Sequence, residues 1–183
     1  METDTHTHTQ TDTQTKYNNS RCACAPRVNE RHDEVLQSIA NAIAKKLPPT
    51  SNFTADLEAT HHFPLHIAPT DLRPDIVWWD DSHKQLWLAE LSVCFETLFE
   101  EAREWKVAKY SELVSATEQA GYNTTLLTLE VGSLGIPHLP GFTTLAHELA
   151  ISQQDLSSLL HQCCQAATTG SYKIWCTRNR LNL

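Results

Sequence analysis

Residues 72–95 read LRPDIVWWDDSHKQLWLAELSVCF, and the fold turns on this stretch. Two runs of strand-forming residues, Ile76-Val77-Trp78-Trp79 and Leu86-Trp87-Leu88-Ala89-Glu90-Leu91-Ser92-Val93, flank Asp80-Asp81-Ser82-His83-Lys84. The intervening aspartates and serine supply turn chemistry, so the spacing predicts a β-hairpin with a buried second strand. One residue breaks the apolar character of that strand: Glu90, set among Leu88, Ala89, Leu91 and Val93. A buried carboxylate without a partner is costly. Asp75 stands just after Pro74, and a hairpin brings it beside Glu90. Opposed side chains on one face of a strand pair lie about 5 Å apart, so two carboxylates there repel unless a cation sits between them. A divalent ion held by Asp75 and Glu90 is one resolution, and oxygen-only ligands favour Mg²⁺ or Mn²⁺ over zinc. The other has Asp75 capping a turn while Glu90 pairs with an arginine such as Arg73 or Arg103.

Downstream the period changes. Leu98, Ala102, Trp105, Lys109, Leu113 and Ala116 recur at helical spacing, which predicts a long amphipathic helix over 96–120 with Gly121 at its end. Residues 124–131 read as a strand, 132–141 as a loop with two prolines, 143–167 as one or two helices and 171–177 as a last short strand. Upstream, Val35, Ile39, Ala42 and Ile43 mark a first helix that starts near Asn29, carries Arg31, His32 and Glu34 in its opening turn, and stops after Leu47 at Pro48-Pro49. Residues 53–58 and 63–67 are short extended or irregular pieces. The order α-β-β-β-α-β with trailing helices predicts an α/β domain: a mixed sheet flanked by helices.

Composition sets the outer limits. The chain has 183 residues, 40% hydrophobic and 20% charged, which suits one globular domain. No apolar run approaches the roughly 18 to 20 residues needed to cross a bilayer, and the first residues lack a secretory pattern. An intracellular setting with reduced cysteines is expected. Lys and Arg number 14 against 22 Asp and Glu, a net charge of −8, which argues against holding nucleic acid by bulk charge alone. Threonine alternates with polar residues over 3–15, so residues 1–26 read as a disordered low-complexity tail and 27–183 as the domain. His6 and His8 in such a tail fix no metal geometry. Cys22-Ala23-Cys24, with His32 and His61-His62 further on, gives one CxC without the second cluster that a structural zinc site normally shows. Cys163 and Cys164 read as core packing, as do Trp78, Trp79, Trp87 and Trp105.

The Pro74-Asp75 pair, the strand Leu88-Ala89-Glu90-Leu91-Ser92 and the helix after it resemble the core of the PD-(D/E)xK nuclease superfamily. Over a longer span, Arg31-His32-Asp33-Glu34-Val35-Leu36, Leu72-Arg73-Pro74-Asp75-Ile76-Val77, Ala89-Glu90-Leu91-Ser92-Val93-Cys94-Phe95-Glu96 and Lys106-Val107-Ala108-Lys109-Tyr110 look like the restriction-endonuclease-like domain at the C-terminus of non-LTR retrotransposon polyproteins. The likeness spans about 27–178. It implies a restriction-endonuclease-like sheet, with Asp75 and Glu90 holding Mg²⁺ or Mn²⁺. The lysine that the superfamily places two residues after the second acid is Ser92 here, so the resemblance moves that role to the following helix, to Lys106 first and Lys109 second. Tyr110 shares a helical face with Lys106. His32 and Glu34 would support the metal or the scissile phosphate, as would Arg73; Glu96 would cap the long helix or act at one remove. Cys22 and Cys24 would be a zinc-knuckle remnant.

The activity so implied is metal-dependent nicking of DNA. Such a nick supplies a 3′ hydroxyl for reverse transcription, with a reverse transcriptase and element RNA as partners and the nucleus as the place. An inactive nuclease fold kept as a DNA-binding or interaction module is the alternative. A small zinc-binding protein built on Cys22, Cys24 and His32 is a third.

Overall fold

In the computed structural model, residues 25–57 and 62–180 are described. The expected low-complexity tail, Cys22, Cys24 and His61 lie outside them, but Ala25 and Pro26, assigned to the tail, open the first helix. That helix, α1 (Ala25–Ala44), buries Val35, Leu36, Ile39, Ala40 and Ile43 along one stripe. It starts earlier than Asn29, so Arg31, His32 and Glu34 stand in its second and third turns rather than its first. Strand β1 (Asn52–Ala55) follows, then β2 (Ile76–Asp80) and β3 (Gln85–Cys94). A short 3-10 turn (Glu96–Leu98) leads into helix α2 (Phe99–Gln119). Strand β4 (Asn123–Gly132), helix α3 (Leu139–Glu148) and helix α4 (Gln153–Arg180) complete the described residues.

The sheet runs β1-β2-β3-β4. β1 pairs antiparallel with β2, and β2 with β3, Ile76 opposite Ala89 and Trp78 opposite Trp87. The hairpin legible in residues 72–95 is therefore present. β3 and β4 are parallel, Ser92 opposite Glu130, so their connection must cross over the sheet, and α2 is that crossover. Gly121, at φ +90, ends α2 in a conformation that L side chains rarely adopt. Glycine is also needed at 141, where a Cβ would come within 1.9 Å of the Thr128 carbonyl; its absence lets α3 lie against β4.

Alternation along the strands separates two cores. Ile76, Trp78, Ala89, Leu91, Leu127, Leu129 and Val131 face α1, α3 and α4. Val77, Trp79, Leu86 and Leu88 face the other way, with Phe63 and Ile67 and with Tyr110 and Leu113 of α2. Trp78 and Trp79 are buried, and Trp78 stacks on Trp87 at 5.7 Å between ring centroids. Trp105 departs from the packing expectation: it lies on the outer side of α2, 39% exposed. Cys163 is fully buried, and its thiol is pushed up to about 12 by desolvation.

Two further expectations are corrected. Residues 171–177 are helical, not a strand: Leu159, Cys163, Ala167 and Gly170 form a continuous buried helical stripe, and Ser171 accepts from Arg31 of α1 at 3.0 Å, so tertiary packing overrides the strand-like composition. Residues 63–67, read as extended or irregular, are irregular, with a turn closed by Ile67 N–H to the Pro64 carbonyl (3.0 Å). The loop after β4 is shorter than 132–141, because Pro140 falls in the first turn of α3, where a missing N–H costs nothing. No helix of the described residues is long and apolar enough to cross a membrane.

Candidate active site

The hairpin register carries Asp75, one residue before β2, to the position opposite Glu90. Each carboxylate accepts a backbone N–H from the other strand. Asp75 N–H donates to Glu90 Oε1 at 2.9 Å, and Leu91 N–H donates to Asp75 Oδ2 at 2.8 Å. Glu90 belongs to the even-numbered residues of β3, which point at α2. There the Lys106 ammonium donates to Glu90 Oε2 at 2.5 Å and to Asp75 Oδ2 at 3.5 Å. The Glu90 side chain is 0% exposed, with Lys106 at 14% and Asp75 at 15%. From α1, His32 Nε2 comes within 3.5 Å of Asp75 Oδ2 while its Nδ1 lies 3.3 Å from Asp33 Oδ1. Four elements thus converge on one pair of carboxylates.

The electrostatics follow from this packing. Burial alone would depress the His32 imidazole, but hydrogen bonds to Asp33 and Asp75 outweigh it and raise the group to about 9. Burial opposes ionisation of Asp75 as well, yet the His32 hydrogen bond and the Lys106 charge hold it down at about 2. Glu90 is pushed up by desolvation and by the neighbouring Asp75 charge, with Lys106 opposing. For Lys106, the two carboxylates overcome desolvation and raise it. His32 and Lys106 thus face the Asp75–Glu90 pair from two different helices.

Cation pairing of Glu90 is therefore met inside the chain, by neither of the expected partners. Arg73 Nε lies 3.7 Å from Asp56 Oδ2, and Arg103 lies 3.9 Å from Glu100. Asp75 receives the Leu91 amide across the hairpin, so it does not cap a local turn. Among the described residues no group of three or more His, Cys, Asp or Glu is placed to hold a metal ion. Two carboxylates still suit Mg²⁺ or Mn²⁺, since Mg²⁺ commonly takes one or two protein carboxylates and fills its remaining positions with water and phosphate oxygens.

The supporting residues separate. Tyr110 is fully buried, its hydroxyl donating to the Arg73 carbonyl (3.0 Å) and accepting from Lys109 Nζ (2.8 Å), and desolvation with the Glu90 charge raises it. Lys109 is exposed and its ammonium is lowered, chiefly by desolvation; it sits one step outside the carboxylate pair. Glu34 turns to α4, where Lys173 donates to it at 2.6 Å, and takes no part. Glu96 does not cap α2: its Oε1 accepts the Leu134 N–H at 2.9 Å and ties down the loop after β4. Arg73 contributes its carbonyl to Tyr110. His32, the one described member of the proposed zinc set, is turned to Asp33 and Asp75.

Two residues escaped the sequence reading. Asp33 orients His32. Glu130, 1% exposed and on the same side of the sheet as Glu90, has Oε2 3.2 Å from His138 Nδ1, and its buried Oε1 has no hydrogen-bond partner among the described residues. The signal was available, since Glu130 interrupts the apolar run Leu126 to Val131 much as Glu90 interrupts β3. The chain matches no protein-family model and no curated protein.

Proposed function

We propose that this chain is a divalent-metal-dependent endonuclease that nicks DNA, and that its mixed sheet is a restriction-endonuclease-like core of the retroelement type. One observation carries the reading: the Lys106 ammonium lies within 3.5 Å of a carboxylate oxygen of both Asp75 and Glu90 at the end of the hairpin, with His32 beside Asp75. Asp75 and Glu90 would hold Mg²⁺ or Mn²⁺, which when bound lowers the pKa of a coordinated water and offsets phosphate charge. Lys106 would hold the extra negative charge that develops on the phosphoryl oxygens during in-line attack. Hydrolysis breaks the P–O3′ bond, and the leaving oxygen takes a proton to become a 3′ hydroxyl. His32, held protonated, is a second positive group facing the same phosphate, and Tyr110 fixes α2 against the residue preceding Pro74. Lys109 extends the positive edge outward. The net charge of −8 suits a domain brought to chromosomal DNA in the nucleus by a reverse transcriptase bound to element RNA.

A plasmid-nicking assay in Mg²⁺ or Mn²⁺ tests this. Asp75→Ala and Lys106→Ala are each expected to lower the nicking rate by about 100-fold or more. Equal cleavage by the parent chain and both variants overturns the enzyme.

A second reading has a specific observation behind it. Lys106 and His32 already neutralise the two carboxylates, as they would in an inactive nuclease fold kept for binding DNA or protein. Calorimetric titration with Mn²⁺ separates the two: the inert module shows no binding that depends on Asp75 and Glu90.

A further inference from the structure

We propose that Lys106 sets the cation affinity of the Asp75–Glu90 pair by occupying the seat itself, as an internal competitor that a divalent ion must displace. The inference rests on the metal-dependent reading above and adds the residue that tunes it. The ammonium touches both carboxylates, at 2.5 Å to Glu90 and 3.5 Å to Asp75, which is the bridging position that a shared cation takes. A doubly charged ion and the ammonium cannot fill one position, so ion binding requires the lysine to move.

Motion of the ammonium does not require motion of the helix. Ala102 and Tyr110, on either side of Lys106 along α2, are buried, and the Tyr110 hydroxyl is bonded to the Arg73 carbonyl. Lysine carries its charge on a flexible four-carbon stem, and 14% exposure of the side chain leaves it in touch with solvent. The Trp105 ring centroid is 6.0 Å from Lys106 Nζ, at the outer limit of cation–π attraction, and 5.5 Å from Lys109 Nζ, and Trp105 is 39% exposed. An ammonium displaced that way moves toward solvent and joins Lys109 on the outer side of α2. Lys109 is not the competitor, because its ammonium is bonded to the Tyr110 hydroxyl at 2.8 Å.

The test is calorimetric titration of the full chain with Mn²⁺, with no nucleic acid present. Lys106→Met is expected to bind Mn²⁺ about tenfold tighter than the parent, and Lys106→Arg, which keeps a cation, to bind like the parent. Without metal, Lys106→Met melts below the parent, and saturating Mn²⁺ raises its melting temperature by more than it raises the parent's. Lys106→Gln, which keeps a hydrogen-bond donor toward Glu90, provides the same comparison if the Met variant does not fold. Equal or weaker Mn²⁺ binding by the uncharged variants, with the parent binding measurably, overturns the competitor role and leaves the metal-dependent reading standing. Absence of Mn²⁺ binding in parent and variants overturns both.

Discussion

The two sides of this sheet are built from alternate residues of the same strands; both bury apolar side chains, and only one of them buries charge as well. Toward α1, α3 and α4 the strands present Trp78, Ala89, Leu91, Leu127, Leu129 and Val131, a wholly apolar layer. Toward α2 the intervening positions bury Glu90, Thr128 and Glu130 beside Val77, Leu86 and Leu88. Stability comes chiefly from the first side, since apolar burial needs no partner. Among the described residues, buried charge is confined to the second, where it requires a counter-group and so fixes the placement of α1, α2 and the hairpin together.

The contrast can be broken most strongly at Glu90. Glu90→Ala leaves the Lys106 ammonium facing Asp75 alone in a buried position, and chemical denaturation is expected to show a loss of about 3–5 kcal/mol. On the apolar side, Leu129→Ala opens a cavity, with an expected cost of about 3 kcal/mol. The discriminating measurement there is nicking at a temperature where the variant remains folded: the rate should be unchanged, and a fall comparable to that of Asp75→Ala would show that the two sides are not separate.

A smaller effect sharpens the comparison through pH. His32 is raised from 6.5 to about 9, so its contribution is fully present below about pH 6.5 and is lost as pH rises through about 9. For a side chain 27% exposed the loss should be on the order of 2 kcal/mol after screening is allowed for. Urea midpoints measured across that window should fall in the parent and stay flatter in His32→Asn. A parallel decline in both would remove His32 from the charge balance.

Much of this was legible in the sequence. The alternation of apolar residues and the turn chemistry at 80–84 fix the hairpin, because strand periodicity is a local property. The period change after Phe95 fixes α2, and the misplaced charge at 90 marks the buried carboxylate pair. Less legible were the ends. Residues 171–177 look like a strand on composition, and only their packing along α1 makes them a helix. Asp33, Glu34 and Glu96 were indistinguishable as acidic residues near helix starts; tertiary contacts send the first to His32, the second to Lys173 and the third to Leu134 N–H.

By itself, then, the sequence determined the β2–β3 hairpin, the helix after it, and that Asp75 and Glu90 become neighbours, since hairpin pairing follows from local pattern. What neutralises those two acids was decided only by the tertiary structure. Lys106 reaches them from the helix that follows β3 and His32 from α1, far upstream, and both pairings depend on how those helices pack against the sheet, which no local pattern records.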